Sequence, residues 1–383
     1  MQIYLDNAAT TRVSDEVFRE MTPYFKNKYG NASSLHDFGQ EANNSIENAR
    51  KIIAERLKAD IKEIIFTSGG TESNNLAIQG TAHNYKDRGN HIVTTKFEHP
   101  SVLETCKSLE KEGFNVTYLN LNKEGLISLE ELKKTITNKT IIVTIMHANN
   151  EIGTIQDLKE IYKICKEKGV IFHTDAVQSF SKTDINSEMA DLISISAHKI
   201  HGPKGIGALY IKKGIHLKKL FHGGKHEFNV RSGTENVPAI VGLARATTLI
   251  TKKDIEKMIK LRDKLIKETL KIKDTWLNGT KEKRLCNNAN ISFKYIEGES
   301  ILLRLNEKGI AVSTGSACAA KELKPSHVLL SIGLKAEDAH GSIRFSLSKY
   351  TTEKEINYVL KQLPPIINQL REMSPFKGGE NNV

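Results

Sequence analysis

Between about residues 60 and 215 the chain alternates short apolar, strand-like runs with helical patterns. The runs are IIFTS (64–68), HIVTT (91–95), VTYLN (116–120), TIIVTIM (140–146), VIFHTD (170–175) and LISIS (192–196). This alternation predicts an α/β fold with a mostly parallel sheet. Several runs are apolar throughout instead of every second residue, the pattern of strands covered by helices on both faces. The sheet is therefore expected at the centre of the molecule.

After it, residues 236–273 read as helix, with apolar positions at Ile255, Met258, Ile259, Leu265 and Ile266 and a cap-like break near Thr251–Asp254. The pattern then becomes strand (NISFKY), helix (ESILLRLNEKG), strand (IAVS), a loop of small residues, helix (SHVLLSIG) and strand (SIRFSLS). A last helix opens with the capping box Thr352-x-x-Glu355. We expect an N-terminal segment at 1–15 packing on the smaller domain, a large α/β domain at 16–255, and a small α+β domain at 256–383. Pro364 and Pro365 are expected to kink or split the final helix, and the tail KGGENNV to fray. No internal repeat is present.

Composition narrows the function classes. With 39% hydrophobic and 26% charged residues the chain reads as globular. The net charge of +11 comes from lysines scattered singly along amphipathic segments such as 251–273, the pattern of solvated helix faces, so no nucleic-acid partner is expected. A basic surface still suits an acidic protein or a phosphorylated cofactor. No apolar run approaches the roughly 20 residues that span a bilayer, and Asp6 stands where a signal peptide would need its apolar stretch. The expectation is a cytoplasmic protein without a membrane partner. Cys106, Cys165, Cys286 and Cys318 are far apart and form no C-x-x-C pair, which suggests reduced thiols and neither a disulfide framework nor a metal site.

Chemistry enters at the strand ends. In IIFTSGGTESNNLAI (64–78) a strand, a glycine turn and a helix N-terminus follow one another, a geometry in which free N–H groups and the helix dipole face an anion. The same arrangement closes many strand-to-helix turns that bind nothing. Three later strands, however, end in polar groups: His147-Ala-Asn149-Asn150-Glu151, Asp175-x-x-Gln178, and His198-Lys199. Ligands of open α/β sheets sit outside the carboxyl ends of the strands. A carboxylate for a pyridinium nitrogen, a lysine for a Schiff base and a phosphate cradle are what a pyridoxal-phosphate site needs. Lys199, directly at a strand end, is the better amine; Lys204 lies in the following HGPKGIG turn.

Taken in order, YLDNAATT, FTSGGTESNNLA, KFEHPSVL, NNEIG, HTDAVQS, SAHKIHGPKGIGALY, RSGTENV, GSAC and IRFSLS resemble the NifS/IscS cysteine desulfurases over nearly the whole chain. The resemblance implies an aspartate-aminotransferase-like fold, a homodimer, pyridoxal phosphate as cofactor and L-cysteine as substrate. It also implies a sulfur-acceptor protein, such as an iron–sulfur scaffold or a tRNA-thiolation enzyme, as partner. Carried over by motif, Lys199 would hold the cofactor covalently, Asp175 would pair with its ring nitrogen, Gln178 would bond the ring hydroxyl, and His99 would stack on the ring and assist proton transfer. Gly70, Thr71, Ser196 and His198 would hold the phosphate, with Thr234 from the other subunit. Asn150 and Arg344 would bind the substrate carboxylate, with Asn31 as a further candidate. Cys318 would attack the substrate sulfur and keep it as a persulfide while alanine leaves. Its neighbours Ser313, Thr314, Gly315, Ser316, Ala317, Ala319 and Ala320 include no bulky group.

The sequence departs from the family pattern at Ala32, where proline is usual, at Lys225 within Gly223–Glu227, where the family has a third glycine, and at Phe228 and Asn229, which replace arginine and glycine. The added charge of Lys225 is expected beside the entrance of the site. A selenocysteine lyase or an aminotransferase of the same fold, and a catalytically silent sulfur carrier, are the rival readings. The thiol of GSAC speaks against an aminotransferase, and Lys199, Asp175, His99 and Cys318 together speak against a silent carrier.

Overall fold

The computed structural model describes residues 2–314 and 325–375. Its main sheet has seven strands in the spatial order Ile64–Thr67, Gly207–Ile211, Leu192–Ser196, Ile171–Asp175, Thr140–Thr144, His91–Thr95 and Asn115–Leu119. Five of them run parallel to one another. Gly207–Ile211 is antiparallel to both of its neighbours, so Ile64–Thr67 shares the direction of the other five. The six strands expected from sequence are all present, with ends displaced by no more than two residues. Gly207–Ile211 was not expected as a strand: GALYI is short and follows a glycine-rich turn, and its place between two central strands is a tertiary fact.

Strand residues alternate between two apolar layers. Phe66, Val93, Val143, Phe172, Ile193 and Ala208 pack with the helices Asp37–Leu57, Leu158–Glu167 and Val237–Thr247. Ile65, Ile92, Ile142, Leu192 and Leu209 pack with Gly70–Asn84 and Pro100–Lys111 on the other face. Burial on both faces is why these runs lack a polar alternation. At roughly 25 cal/mol per Å² of apolar area removed from water, these layers supply the main driving force for the fold.

A separate core forms around the antiparallel strands Thr275–Leu277, Asn288–Phe293 and Ser342–Ser346. It includes Leu265, Ile291, Phe293, Ile301, Leu305, Phe345 and Val359, together with Ile3 and Leu5 from the N-terminus. Ile3–Tyr4 pairs in parallel with Ile310–Ala311.

The helix Glu353–Met373 runs through Pro364 and Pro365 without being split; of the kink or split expected from sequence, the split does not occur. Leu363, Ile366 and Ile367 on its inner side are buried in this second core, whereas Lys361, whose carbonyl loses its intrahelical donor to Pro365, is exposed. Packing on one side and water on the other offset the missing hydrogen bonds.

Candidate active site

Parallel strands direct their carboxyl ends to one side, and there a cavity of about 400 Å³ opens. It is lined by ten residues expected from sequence: Gly70, Thr71, His99, Asn150, Asp175, Gln178, Ser196, His198, Lys199 and Arg344. Three sequence candidates are not among the described lining residues. Asn31 is exposed, its side chain accepting from the Ser33 N–H at 2.9 Å, and Thr234 is exposed on its own loop. Cys318 lies outside the described residues. Ser313 pairs with Arg344, and His327 lines the wall.

The anion-binding end is built by glycine geometry. Gly69 has φ +153°, and a Cβ on Gly70 would meet Val177 Cγ2 at 2.6 Å, so a side chain at 70 would collide with the strand-end turn. The helix Gly70–Asn84 has no side-chain cap at its first residue. Its first-turn N–H groups remain as donors for an anion, beside Ser196 and His198. Glu72, in that first turn, is occupied by Arg231 (2.9 Å) and the Ser68 N–H (2.7 Å), which hold its carboxyl below the usual range despite burial.

Asp175 is 4% exposed. Its Oδ1 accepts from the Val177 N–H at 2.9 Å and its Oδ2 from Asn74 Nδ2 at 2.7 Å. Asn74 also donates to Ser101 Oγ (2.9 Å), which lies 2.8 Å from His99 Nδ1, so one chain of hydrogen bonds ties the carboxylate to the imidazole. Burial lowers the pKa of His99, the nearby Asp175 charge opposes that fall, and Lys199 and His327 add to it.

Lys199 Nζ donates to the backbone carbonyls of Ala8 (2.6 Å) and Ala9 (2.7 Å), and Gln178 Nε2 donates to Ala8 O (2.9 Å). Burial, helped by the positive charges of Arg344 and Lys182, pushes the Lys199 amine down to about 7. Near neutral pH a large fraction of it is therefore the nucleophilic free base. Lys204, the alternative amine, is exposed and away from the lining. His198 is pushed down to about 4 by burial and then by Lys199, so it faces the anion end as a neutral imidazole.

At the opposite wall Arg344 is 2% exposed. Its Nη1 donates to Asn150 O (3.0 Å) and its Nη2 to Asp6 Oδ1 (2.8 Å). A guanidinium held by Asn150 and Asp6 in a buried wall suits a planar carboxylate.

Asn74, Ser101, His327 and the Ala8–Ala9 backbone were not singled out in the sequence, and Glu151 was noted there as one of the polar residues after a strand, with no role assigned. Asn74 stood inside the quoted TESNNLA and His327 inside SHVLLSIG, where helical periodicity was the dominant signal. Lys225 does not line the main cavity: it borders a separate one with Arg50 and Glu227. The left-handed backbone at Glu227, Phe228 and Asn229 (φ 44°, 52° and 64°) is pinned by Arg50, which donates to Glu227 at 2.7 and 2.9 Å and stacks on Phe228 at 4.9 Å.

The donor set fits a phosphorylated pyridine aldehyde: a glycine cradle for the phosphate, a carboxylate for a ring N–H, an amide for a ring hydroxyl, and an amine for the aldehyde. Asn74 Oδ1, buried without a hydrogen-bond partner among the described residues, is a further acceptor left over in the lining.

Residues 3–359 match the family described as aminotransferase class-V. A protein named cysteine desulfurase IscS from Dictyoglomus turgidum is 52% identical over 382 residues, 98% of this chain and 97% of that one. Another of that name from Methanosarcina thermophila is 50% identical, covering 98% and 94%. Among solved structures, a NifS-like protein superposes with a TM-score of 0.91 at 41% identity, covering 97% of this chain and all of the other. A protein described as SspA in complex with cysteine gives 0.83 at 38% identity, over 92% and 100%.

Proposed function

The chain belongs to the class-V aminotransferase family, among the cysteine desulfurases, and from that premise we propose that its cavity binds pyridoxal phosphate and removes sulfur from L-cysteine. The observation that carries this reading is the convergence of Lys199, Asp175, Gln178 and His99 on one cavity with the uncapped N-terminus of Gly70–Asn84. Gly70, Thr71, Ser196 and His198 hold the phosphate, Asp175 the ring nitrogen, Gln178 the ring hydroxyl, and Lys199 the aldehyde carbon. When bound, pyridoxal phosphate supplies an electron-poor ring that draws electrons from the amino acid's Cα.

The protein's own residues then divide the work. Arg344 and Asn150 bind the substrate carboxylate. Lys199 Nζ takes the Cα proton, for which its free-base form is required. The thiolate of Cys318 attacks the substrate sulfur, and the sulfur stays on the enzyme as a persulfide for an acceptor protein. The buried free thiols Cys106, Cys165 and Cys286 support a reducing, cytoplasmic setting. No helix among the described residues is long and apolar enough to cross a membrane.

The test is direct. The purified protein is expected to be yellow with pyridoxal phosphate, to release alanine from L-cysteine, and after borohydride reduction to carry the cofactor on Lys199. A label on Lys204, or a colourless protein that cannot be reconstituted, would overturn the site.

A homodimer is part of the same reading. Phe18, Phe25, Tyr29, Leu35 and Phe38 are 64%, 62%, 69%, 91% and 51% exposed along one N-terminal stretch. Large apolar side chains gathered in this way mark a surface that another chain covers. Thr234, exposed and outside the lining of its own cavity, is then available to the partner's phosphate site. Light scattering is expected to give twice the chain mass; an active monomer would remove both statements.

A further inference from the structure

The N-terminal segment crosses from one pole of the cavity to the other. At its start Ile3–Tyr4 pairs with Ile310–Ala311. It then follows the strand Ser342–Ser346, which carries Arg344. The Ser346 N–H donates to Leu5 O at 2.7 Å, the Asn7 N–H to Ser346 O at 3.3 Å, and the Ala8 N–H to Ser346 Oγ at 2.9 Å. Asn7 Nδ2 adds a bond to Ser346 O at 2.8 Å. Further on, the segment meets the turn that carries Lys199. Thr11 donates to His198 O through its N–H (2.8 Å) and its Oγ1 (2.9 Å), and its Oγ1 accepts from the His201 N–H at 2.8 Å. Between these attachments the carbonyls of Ala8 and Ala9 accept from Lys199 Nζ.

Residues 3–11 therefore join two separate cores. Ile200, beside Lys199, packs in the core of the main sheet, whereas Ile343 and Phe345, on either side of Arg344, pack in the second core with Ile3 and Leu5.

Asp6 lies in the middle of this segment. Its carbonyl accepts from the Ala9 N–H at 3.1 Å, which closes a turn, and its Oδ1 accepts from Arg344 Nη2 at 2.8 Å. The Arg344 side chain is 3% exposed and that of Asp6 20%. Among the described residues that line the cavity are Ala8, Ala9 and Arg344, but not Asp6. The carboxylate thus holds the guanidinium from behind and leaves the cavity side to a ligand, while Asn150 O holds Nη1 at 3.0 Å. Arginine has many rotamers, and fixing them ahead of binding removes an entropic cost from the binding step.

We propose that residues 3–11 form a strut that sets the carboxylate-binding arginine against Lys199, with Asp6 as the positioning residue that aims the guanidinium and gives the site its selectivity for α-carboxylates. The proposal rests on the reading above that Arg344 takes the substrate carboxylate. An amino acid presents its amino group and its carboxylate from one carbon, so both poles must stand at a fixed separation for the substrate to engage both. A misplacement of about 1 Å is enough to cost on the order of 100-fold in rate.

The experiment titrates the cofactor-loaded protein with L-alanine and with L-alaninamide, following the absorbance of the bound cofactor. L-Alanine has no thiol, so the titration involves neither Cys318 nor turnover. The amide keeps the amino group and nearly the same size but has no carboxylate. The ratio of the two dissociation constants therefore reports the carboxylate contact, whereas a general disturbance of the fold or of the cofactor moves both constants together. Asp6→Ala is expected to cut the parent's preference for L-alanine by roughly tenfold or more, the usual scale of a charge-assisted hydrogen bond. Asp6→Asn keeps an oxygen at the Oδ1 position and is expected to retain the preference. An unchanged or increased preference in Asp6→Ala, or an Asp6→Asn protein as impaired as Asp6→Ala, overturns the proposal. If Asp6→Ala does not take up the cofactor, Asp6→Glu decides. It keeps the charge but displaces the oxygen by one methylene, so a fall in preference supports the proposal and an intact preference overturns it. Arg344→Met is the control for the underlying site: if it retains the parent's preference, or if the parent has none, the assignment of Arg344 to the substrate carboxylate fails. If Arg344→Met loses the preference and Asp6→Ala keeps it, only the role of Asp6 fails.

Discussion

Replacing Cys318 by serine is expected to stop alanine release from L-cysteine by a factor on the order of 10³ or more, while cofactor binding stays intact. The two side chains differ little in volume, but a serine hydroxyl does not ionise near neutral pH and is a poor nucleophile towards sulfur. Everything up to removal of the Cα proton depends on Lys199, Arg344 and the cofactor contacts, and not on an ionised thiol. The variant should therefore still change its absorbance when L-cysteine is added, yet carry no persulfide after the reaction. The same change at Cys106, Cys165 or Cys286 should leave turnover in place. Those thiols are buried, and burial raises the pKa of each, so none is a thiolate in the resting protein. Near-parental alanine formation by Cys318→Ser would replace the persulfide mechanism by direct elimination of sulfide.

Lys199→Ala should be comparably severe, by about 10³-fold or more, for a different reason. The cofactor remains anchored through its phosphate and through Asp175, so the protein still takes it up, but borohydride no longer fixes it to the chain. The Cα proton then has no positioned acceptor, and an added small amine should restore part of the rate. In the parent the sign of the pH effect follows from the lowered amine: above about 7 Lys199 is mostly free base and competent, and below it the ammonium form prevails. The rate of Cα deprotonation is accordingly expected to rise with pH through that value and then level off. Because Arg344 and Lys182 contribute to the lowering, Lys182→Met should move the rising limb to higher pH. A variant in which borohydride still labels the chain at another lysine would show that Lys199 is not the attachment point.

The sequence alone determined the parts that follow from local chemistry. Continuous apolar runs separated by helical patterns require a doubly covered parallel sheet. Polar residues directly after such runs must then fall at the carboxyl ends, which is why Asp175, Gln178, His198 and Lys199 could be assigned before any coordinates. The motif order extended the expectation to His99, Asn150 and Arg344, which line the same cavity. Tertiary structure decided what no periodicity encodes. The strand Gly207–Ile211 exists because two neighbours offer it hydrogen-bonding edges. The helix Glu353–Met373 survives two prolines because its apolar side is buried. Asn74 joins Asp175 to Ser101 across 101 and 27 residues of sequence. His327, in a segment whose strongest sequence signal is helical, reaches the cavity only because Ser326 is fastened to Glu151, 175 residues earlier. Hydrogen bonds between residues so distant in the chain leave no local pattern of spacing or composition; only the folded arrangement brings their partners together.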